Sequence, residues 1–237
     1  MTKLSVNINK IGTLRNSRGS DFPNLVNFAK KIQSLGADGI TVHPRPDERH
    51  IKYSDIFDLK PIVYKEFNIE GNPINKFIDL VIKSKPDQVT LVPDSESDLT
   101  SCAGWDTIKH KNYLKEVVSE FQSNGIRTSI FLDPELKYTE TLNEIGTDRI
   151  EFYTESYARK YSIDKEKAIE PYVICAKNIN EMGIGINAGH DLALNNIKFF
   201  KNNIENLLEV SIGHALIVES IEMGIENVIE KYLSYLK

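Results

Sequence analysis

The sequence predicts an α/β fold, a (β/α)8 barrel of the TIM-barrel type with additional helices, in which residues 1–237 form one domain. Three observations predict it. Short strand-like runs alternate with helical stretches along the whole chain. Eight such units in 237 residues give about 30 residues per unit, the size of a βα repeat. No Pro/Ser-rich linker, charge block or low-complexity tract interrupts them. The alternation implies a parallel sheet, and eight units imply that it closes; an open doubly wound sheet is the alternative.

The strands, in order, are KLSVNIN (3–9), GITVH (39–43), YKEFNIE (64–70), QVTLVP (88–93), RTSIFLD (127–133), RIEFYTE (149–155), GIGINAGH (183–190) and LLEVSIG (207–213). The helices are 21–35, 53–63, 72–84, 112–124, 134–145, 165–182 and a last one from about 214 to 236. Leu25, Phe28, Ala29, Ile32 and Leu35 have the spacing of a helix with one buried face. Gly36, Gly125, Gly146 and Gly183 each follow a helical run and precede a strand, as left-handed C-caps do.

Side chains alternate across a strand, so one parity faces the lumen and the other the helices. Ser5, Asn7 and Asn9 share a face, as do Thr41 and His43, Glu66, Asn68 and Glu70, and Arg149, Glu151 and Tyr153; Ser211 opposes Val210 and Ile212. If the apolar parity packs on the helices, these polar residues point inward. Ordinary barrels fill the lumen with branched apolar side chains. A polar lumen implies a site that reaches down into the barrel.

Composition narrows the function classes. The chain is 41% hydrophobic and 27% charged, with two cysteines and a net charge of −5. An acidic balance argues against nucleic-acid binding, and two cysteines cannot form a disulfide framework or a four-cysteine zinc site. No apolar run reaches the ~18 residues of a membrane span, and MTKLSVNINKIG lacks a signal-peptide core. A cytoplasmic protein is expected.

Barrel sites lie at the C-terminal strand ends. That rule brings Asn7, Asn9, His43, Glu70, Asp133, Glu151, His190 and His214 to one rim, with His50 in the loop after strand two. Histidine and glutamate together supply proton donors and acceptors that work near neutral pH. Each residue taken alone also has a structural reading; Glu70, for example, could pair with Arg149 or Arg45. A metal site is disfavoured, because strand one has no His-x-His and no His-Glu-x-x-His occurs. Phosphate binding has better support. SIGHA (211–215) runs from strand eight into a helix start, where free N–H groups attract an anion. NAGHD (187–191) adds a second glycine turn, and Arg15, Arg18, Arg45 and Arg49 supply cations. Two other readings remain at this point: a different phosphosugar barrel, such as an epimerase or an aldolase (a Schiff-base aldolase needs an inward lysine, and Lys65 has the wrong parity), and a phosphate-ligand-binding protein without turnover.

VNINKIGTLRNSRG, GITVHPRPDERHI, FNIEG, TLVPD, RIEFYTE, NAGHDL and SIGHALI stand in the order and spacing of the pyridoxine 5′-phosphate synthase family. The resemblance runs from about residue 4 to 235. It implies condensation of 1-deoxy-D-xylulose 5-phosphate with 3-amino-2-oxopropyl phosphate, releasing inorganic phosphate and water. It also implies no cofactor, no metal and a homo-octamer. By motif, His43 and Glu70 resemble the family's general acid/base groups, His190 its proton donor and Glu151 its transition-state stabiliser. Arg45, His50 and Thr100 resemble contacts to the ketose phosphate, and Asn7, Arg18, Asp191, Gly213 and His214 contacts to the aminoketone phosphate. The chain departs from the usual pattern twice. Asn9-Lys10 stands where many members have Asp-His, leaving Asn9 and Lys10 as candidate substrate contacts; Asp191 stands where many have glycine.

Overall fold

The computed structural model describes residues 1–94 and 101–237. Eight parallel strands close a barrel in chain order: β1 (Lys3–Asn7), β2 (Gly39–Val42), β3 (Glu66–Gly71), β4 (Gln88–Leu91), β5 (Arg127–Leu132), β6 (Arg149–Phe152), β7 (Gly185–Gly189) and β8 (Leu207–Ile212). β8 pairs back onto β1, with Lys3 opposite Glu209 and Val6 opposite Ile212, so the sheet has no edge. Among the described residues the helices are α1 (Asn9–Asn16), α2 (Leu25–Ser34), α3 (Tyr53–Leu59), α4 (Asn75–Ser84), α5 (Lys111–Ser123), α6 (Leu142–Ile145), α7 (Glu155–Tyr161), α8 (Lys165–Glu181), α9 (Ile197–Asn203), α10 (His214–Met223) and α11 (Ile225–Tyr235).

The apolar parity of the strands packs against the helices. Val6, Ile40, Phe67, Ile130, Ile150, Ile186 and Val210 are fully buried in one cluster with helix residues such as Ile32, Phe121 and Tyr172. The hydrophobic core is therefore a shell around the sheet. The other parity makes the lumen polar, as the alternation predicts. The Ser5 and Thr41 hydroxyls lie 2.7 Å apart, Asn68 donates to Thr41 at 3.4 Å, and Thr90 donates to Asn68 at 3.1 Å. At the N-terminal strand ends Glu66 pairs with Arg127, and Arg149 lies 3.9 Å from Glu66 and 3.8 Å from Glu209. Arg149 thus serves the end of the barrel opposite Glu70.

Local signals account for most helices. Asn24 caps α2 by accepting from the Asn27 amide at 2.8 Å, and Asp164 caps α8 by accepting from Lys167 at 3.1 Å. Gly36, Gly125, Gly146 and Gly183 all have positive φ, as C-caps require.

Several segments differ from the sequence reading. Strand one stops at Asn7, whose Oδ1 accepts the Asn9 amide at 3.0 Å and turns the chain into α1. Asn9 therefore opens a helix instead of extending the lumen face. α1 escaped the periodicity because its buried residues, Ile11, Gly12 and Arg15, include only one large apolar side chain. Strand six stops at Phe152, short of the expected 155, and α7 and α9 lie almost wholly in stretches to which the sequence assigns no element. Segment 134–145 holds only a 3₁₀ turn (Leu136–Thr139) and the single turn of α6. The last helix divides at Gly224, whose φ of 80° breaks it into α10 and α11.

Candidate active site

The C-terminal strand ends surround a cavity of about 330 Å³. Of the residues the sequence singled out, it gathers Asn7, Asn9, Lys10, His43, Arg45, His50, Glu70, Glu151, His190, Asp191, Gly213 and His214. Asp133, Arg15 and Arg49 do not line it, and Asp133 accepts the Gly104 amide at 2.9 Å instead. Two others are not in the set. Arg18 is exposed in the turn after α1 and does not line the cavity, because α1 carries the chain away from the rim. Thr100 lies outside the described residues. Val92, Ser101, Phe131 and Ser211 complete the lining.

His43 follows β2 directly and is held from behind, since its backbone N–H donates to Asn9 Oδ1 at 2.8 Å. Its Nδ1 is 3.9 Å from Glu70 Oε2, and Asn7 Nδ2 donates to the same oxygen at 3.3 Å. Burial, then the charges of Arg45, His50 and His190, push the His43 imidazole down to about 3, so it is neutral at physiological pH. Burial pushes the Glu70 carboxyl up to about 7, with Asp94 adding to the rise and His190 and Arg45 opposing it. The two groups therefore form a neutral acceptor beside an acid that titrates near neutrality, not an ion pair.

Glu151, on β6, is 3% exposed, and burial followed by the charges of Glu70 and Glu209 raises its carboxyl well above the ordinary range. Burial thus favours its protonated form, which can donate a hydrogen bond. β7 passes it with no space to spare: a Cβ on Gly189 would lie 2.5 Å from Ser211 O and 2.9 Å from Glu151 Oε1. His190 follows that glycine. Burial opposes its charge, but the hydrogen bond to Asp191 and the charges of Asp191, Glu70 and Asp94 outweigh burial and raise its pKa. Around one cavity the fold thus places a neutral histidine, a protonated carboxyl, a carboxyl poised near 7 and a histidine favoured in its charged form. Proton transfer in both directions is available without a large change in net charge.

The cationic side is arranged differently from the sequence expectation. Arg15 is buried and donates from Nη1 and Nη2 to the two Asp55 carboxylate oxygens, at 2.7 and 2.8 Å, so it fixes α1 on α3. Arg49 is engaged with Asp47 at 2.6 Å. Arg45 does reach the cavity, where Asp94 accepts from it at 2.6 Å and from Ser101 at 2.8 Å. Thr13 does not line the cavity but supports a residue that does, a contact the sequence reading missed. Its hydroxyl lies 2.8 Å from His50 Nδ1, and Gly12 makes this possible, because a Cβ there would meet His50 O at 2.4 Å. A Gly-Thr pair inside a short helix gives no motif that could have announced it. Burial, then Lys10, Arg45 and Arg49, lowers His50 to about 4, so it too is neutral. Lys65, the lysine weighed for a Schiff base, lies before β3 and binds Ala37 O at 3.0 Å and Asp38 at 3.3 Å, away from the cavity. Among the described residues no group of three or more His, Cys, Asp or Glu side chains is arranged to hold a metal ion, and no helix is long and apolar enough to cross a membrane.

A closed eight-stranded parallel barrel with acid–base groups at its C-terminal strand ends defines a TIM-barrel enzyme. The solved structures it resembles agree on the fold: a putative fructose-1,6-biphosphate aldolase from Coccidioides immitis superposes with a TM-score of 0.68 at 11% identity, covering 99% of this chain and 91% of that one. A monomeric form of phosphoribosylanthranilate isomerase from Thermotoga maritima gives 0.61 at 12% identity, covering 100% and 98%. Residues 4–237 match the family model described as pyridoxal phosphate biosynthesis protein PdxJ, and the chain belongs to that family. Relatives named pyridoxine 5′-phosphate synthase are 61% identical in Christiangramia forsetii, 62% in Flavobacterium johnsoniae and 54% in Bacteroides fragilis, each covering 100% of both chains.

Proposed function

We propose that the barrel, one domain over residues 1–237, is a pyridoxine 5′-phosphate synthase. It condenses 1-deoxy-D-xylulose 5-phosphate with 3-amino-2-oxopropyl phosphate, releasing inorganic phosphate and water, by His/Glu acid–base catalysis. The observation that carries this reading is the convergence of His43, Glu70, Glu151 and His190 on one cavity, in a chain of the PdxJ family.

The chemistry needs what these groups offer. An amine adds to a ketone and water leaves; phosphate is then eliminated, and an aldol-type attack closes the ring. Each step moves a proton at a defined place. Neutral His43 accepts a proton, and Glu70, poised near 7, takes and returns one. His190, favoured in its charged form, donates to a departing oxygen, and protonated Glu151 donates a hydrogen bond to developing negative charge. Arg45, His50 and Thr100 hold the ketose phosphate. Asn7, the Asp191 backbone, Gly213 and His214 hold the aminoketone phosphate, with Asn9 and Lys10 beside them; Arg18, turned outward, is left out of the set. The start of α10, which has neither a side-chain cap nor an acidic residue in its first turn, suits an anion. The reading extends to a cytoplasmic protein, as the composition leads us to expect, and to a homo-octamer, as the family resemblance implies; light scattering on the purified protein tests the assembly.

The decisive experiment mixes purified protein with both substrates and follows pyridine absorbance and phosphate release. Stoichiometric product is expected. Folded protein that yields none overturns the assignment.

A further inference from the structure

The residue after His190 is an aspartate whose carboxylate lies on the histidine. Asp191 Oδ2 is 2.9 Å from His190 Nδ1. Neighbouring side chains in extended backbone point to opposite faces. They meet because His190 adopts a φ of 58°, a left-handed conformation that disfavours a non-glycine residue. The turn is pinned on both sides. Thr154 donates its hydroxyl to Gly189 O, while Asn196 accepts the Ala193 amide at 2.9 Å and donates to Asp191 O at 3.4 Å. Asn196 O in turn accepts the buried Tyr157 hydroxyl at 2.8 Å. The imidazole is also held edgewise by Tyr153 and Phe131, with ring centres 5.4 and 6.2 Å away.

We propose that Asp191 is a positioning residue of the reaction: its carboxylate fixes the ring of His190 and keeps the Nε2–H directed into the cavity as the proton donor. The proposal rests on the synthase reading and assigns the Asp191 side chain a task separate from its backbone. A carboxylate only accepts hydrogen bonds, so the proton between the two groups belongs to Nδ1. It would repel a phosphate oxygen, so its useful partner in this cavity is the histidine. In the step itself the leaving oxygen takes the Nε2 proton and the C–O bonding pair; the imidazole is left neutral, with Nδ1–H still on Asp191, which stays ionised. Among the described residues, Glu70 from β3, Asp94 after β4, His43 after β2 and Tyr153 after β6 are further titratable groups that face the ring. Glu70 and Asp94 reinforce its charge. Asp191 is in hydrogen-bond contact with its Nδ1.

The test titrates full-length enzyme carrying 13C-labelled histidine by NMR, without substrate, as wild type, D191N and D191G. Both substitutions are expected to lower the His190 midpoint by about one unit or more, the effect of losing an adjacent opposite charge. The limb of the kcat–pH profile that reports His190 should move by the same amount, with kcat falling and KM little changed. A His190 midpoint in both variants within the error of wild type overturns the proposal, as does a rise in KM with kcat unchanged. The titration needs no turnover. A wild type that makes no pyridine product would sink the synthase reading and leave the histidine–aspartate pair to be judged by NMR alone.

Discussion

His43 Nδ1 and Glu70 Oε2 face each other at 3.9 Å across two adjacent strands of the barrel, one group held neutral and the other poised near 7. A fully ionised pair would be a structural tie; this one can pass a proton at neutral pH. Replacing Glu70 with Gln keeps the shape and the contact to Asn7 but removes the titration. E70Q is expected to lower kcat by ~10²–10⁴-fold and to abolish the limb of the kcat/KM–pH profile near 7. Steady-state rates from pH 5 to 9 check both.

The same carboxyl makes stability depend on pH. Its folded value, about 7, lies above its ordinary 4.5, so between these the folded chain keeps a proton that the unfolded chain has lost. Glu70 carries no penalty below pH 4.5, and a growing one as pH rises to about 7. Urea denaturation should show E70Q more stable than wild type at pH 8, by up to roughly 3 kcal/mol, and equal to it near pH 4. The reverse order would contradict the burial of this group.

Arg15 and Asp55 are both buried and bonded through two parallel hydrogen bonds, and Asp55 also accepts the Lys52 amide at 2.7 Å. R15A strands that carboxylate. A loss of about 3–5 kcal/mol is expected by chemical denaturation.

Gly12 separates α1 from the loop that carries His50. G12A should cost about 1–3 kcal/mol of stability and displace the Thr13–His50 contact. Under the synthase reading, KM for the ketose phosphate should rise more than kcat falls, which initial rates at varied ketose phosphate would reveal.

The barrel was legible because two periods, one for strands and one for helices, repeat without interruption, and because the polar parity of Glu66, Asn68 and Glu70 contradicted an ordinary packed lumen. The site was legible to the extent that it sits on strand ends, as His43, Glu70, Glu151 and His190 do. Residues placed by short helices were not. α1 buries Arg15, turns Arg18 outward and delivers Thr13, none of which has a strand register to announce it. Partner choice was equally hidden. Arg149 was offered to Glu70 by composition but goes to Glu66 and Glu209, because its place at the start of β6 sets its depth in the lumen. Asp94, which engages Arg45, follows a short strand in a segment that reads as an ordinary loop.

The outward apolar shell has a consequence for how this enzyme can change. Its four acid–base groups come from four different strands of a closed ring, and their depths are set by the inter-strand offsets that closure imposes. Sliding one strand past its neighbour would exchange lumen for shell along its whole length. Variation is therefore confined to single side chains within a fixed lattice of positions. Asp191, two residues beyond the last rung of β7, stands where that lattice ends and the chain is free to differ.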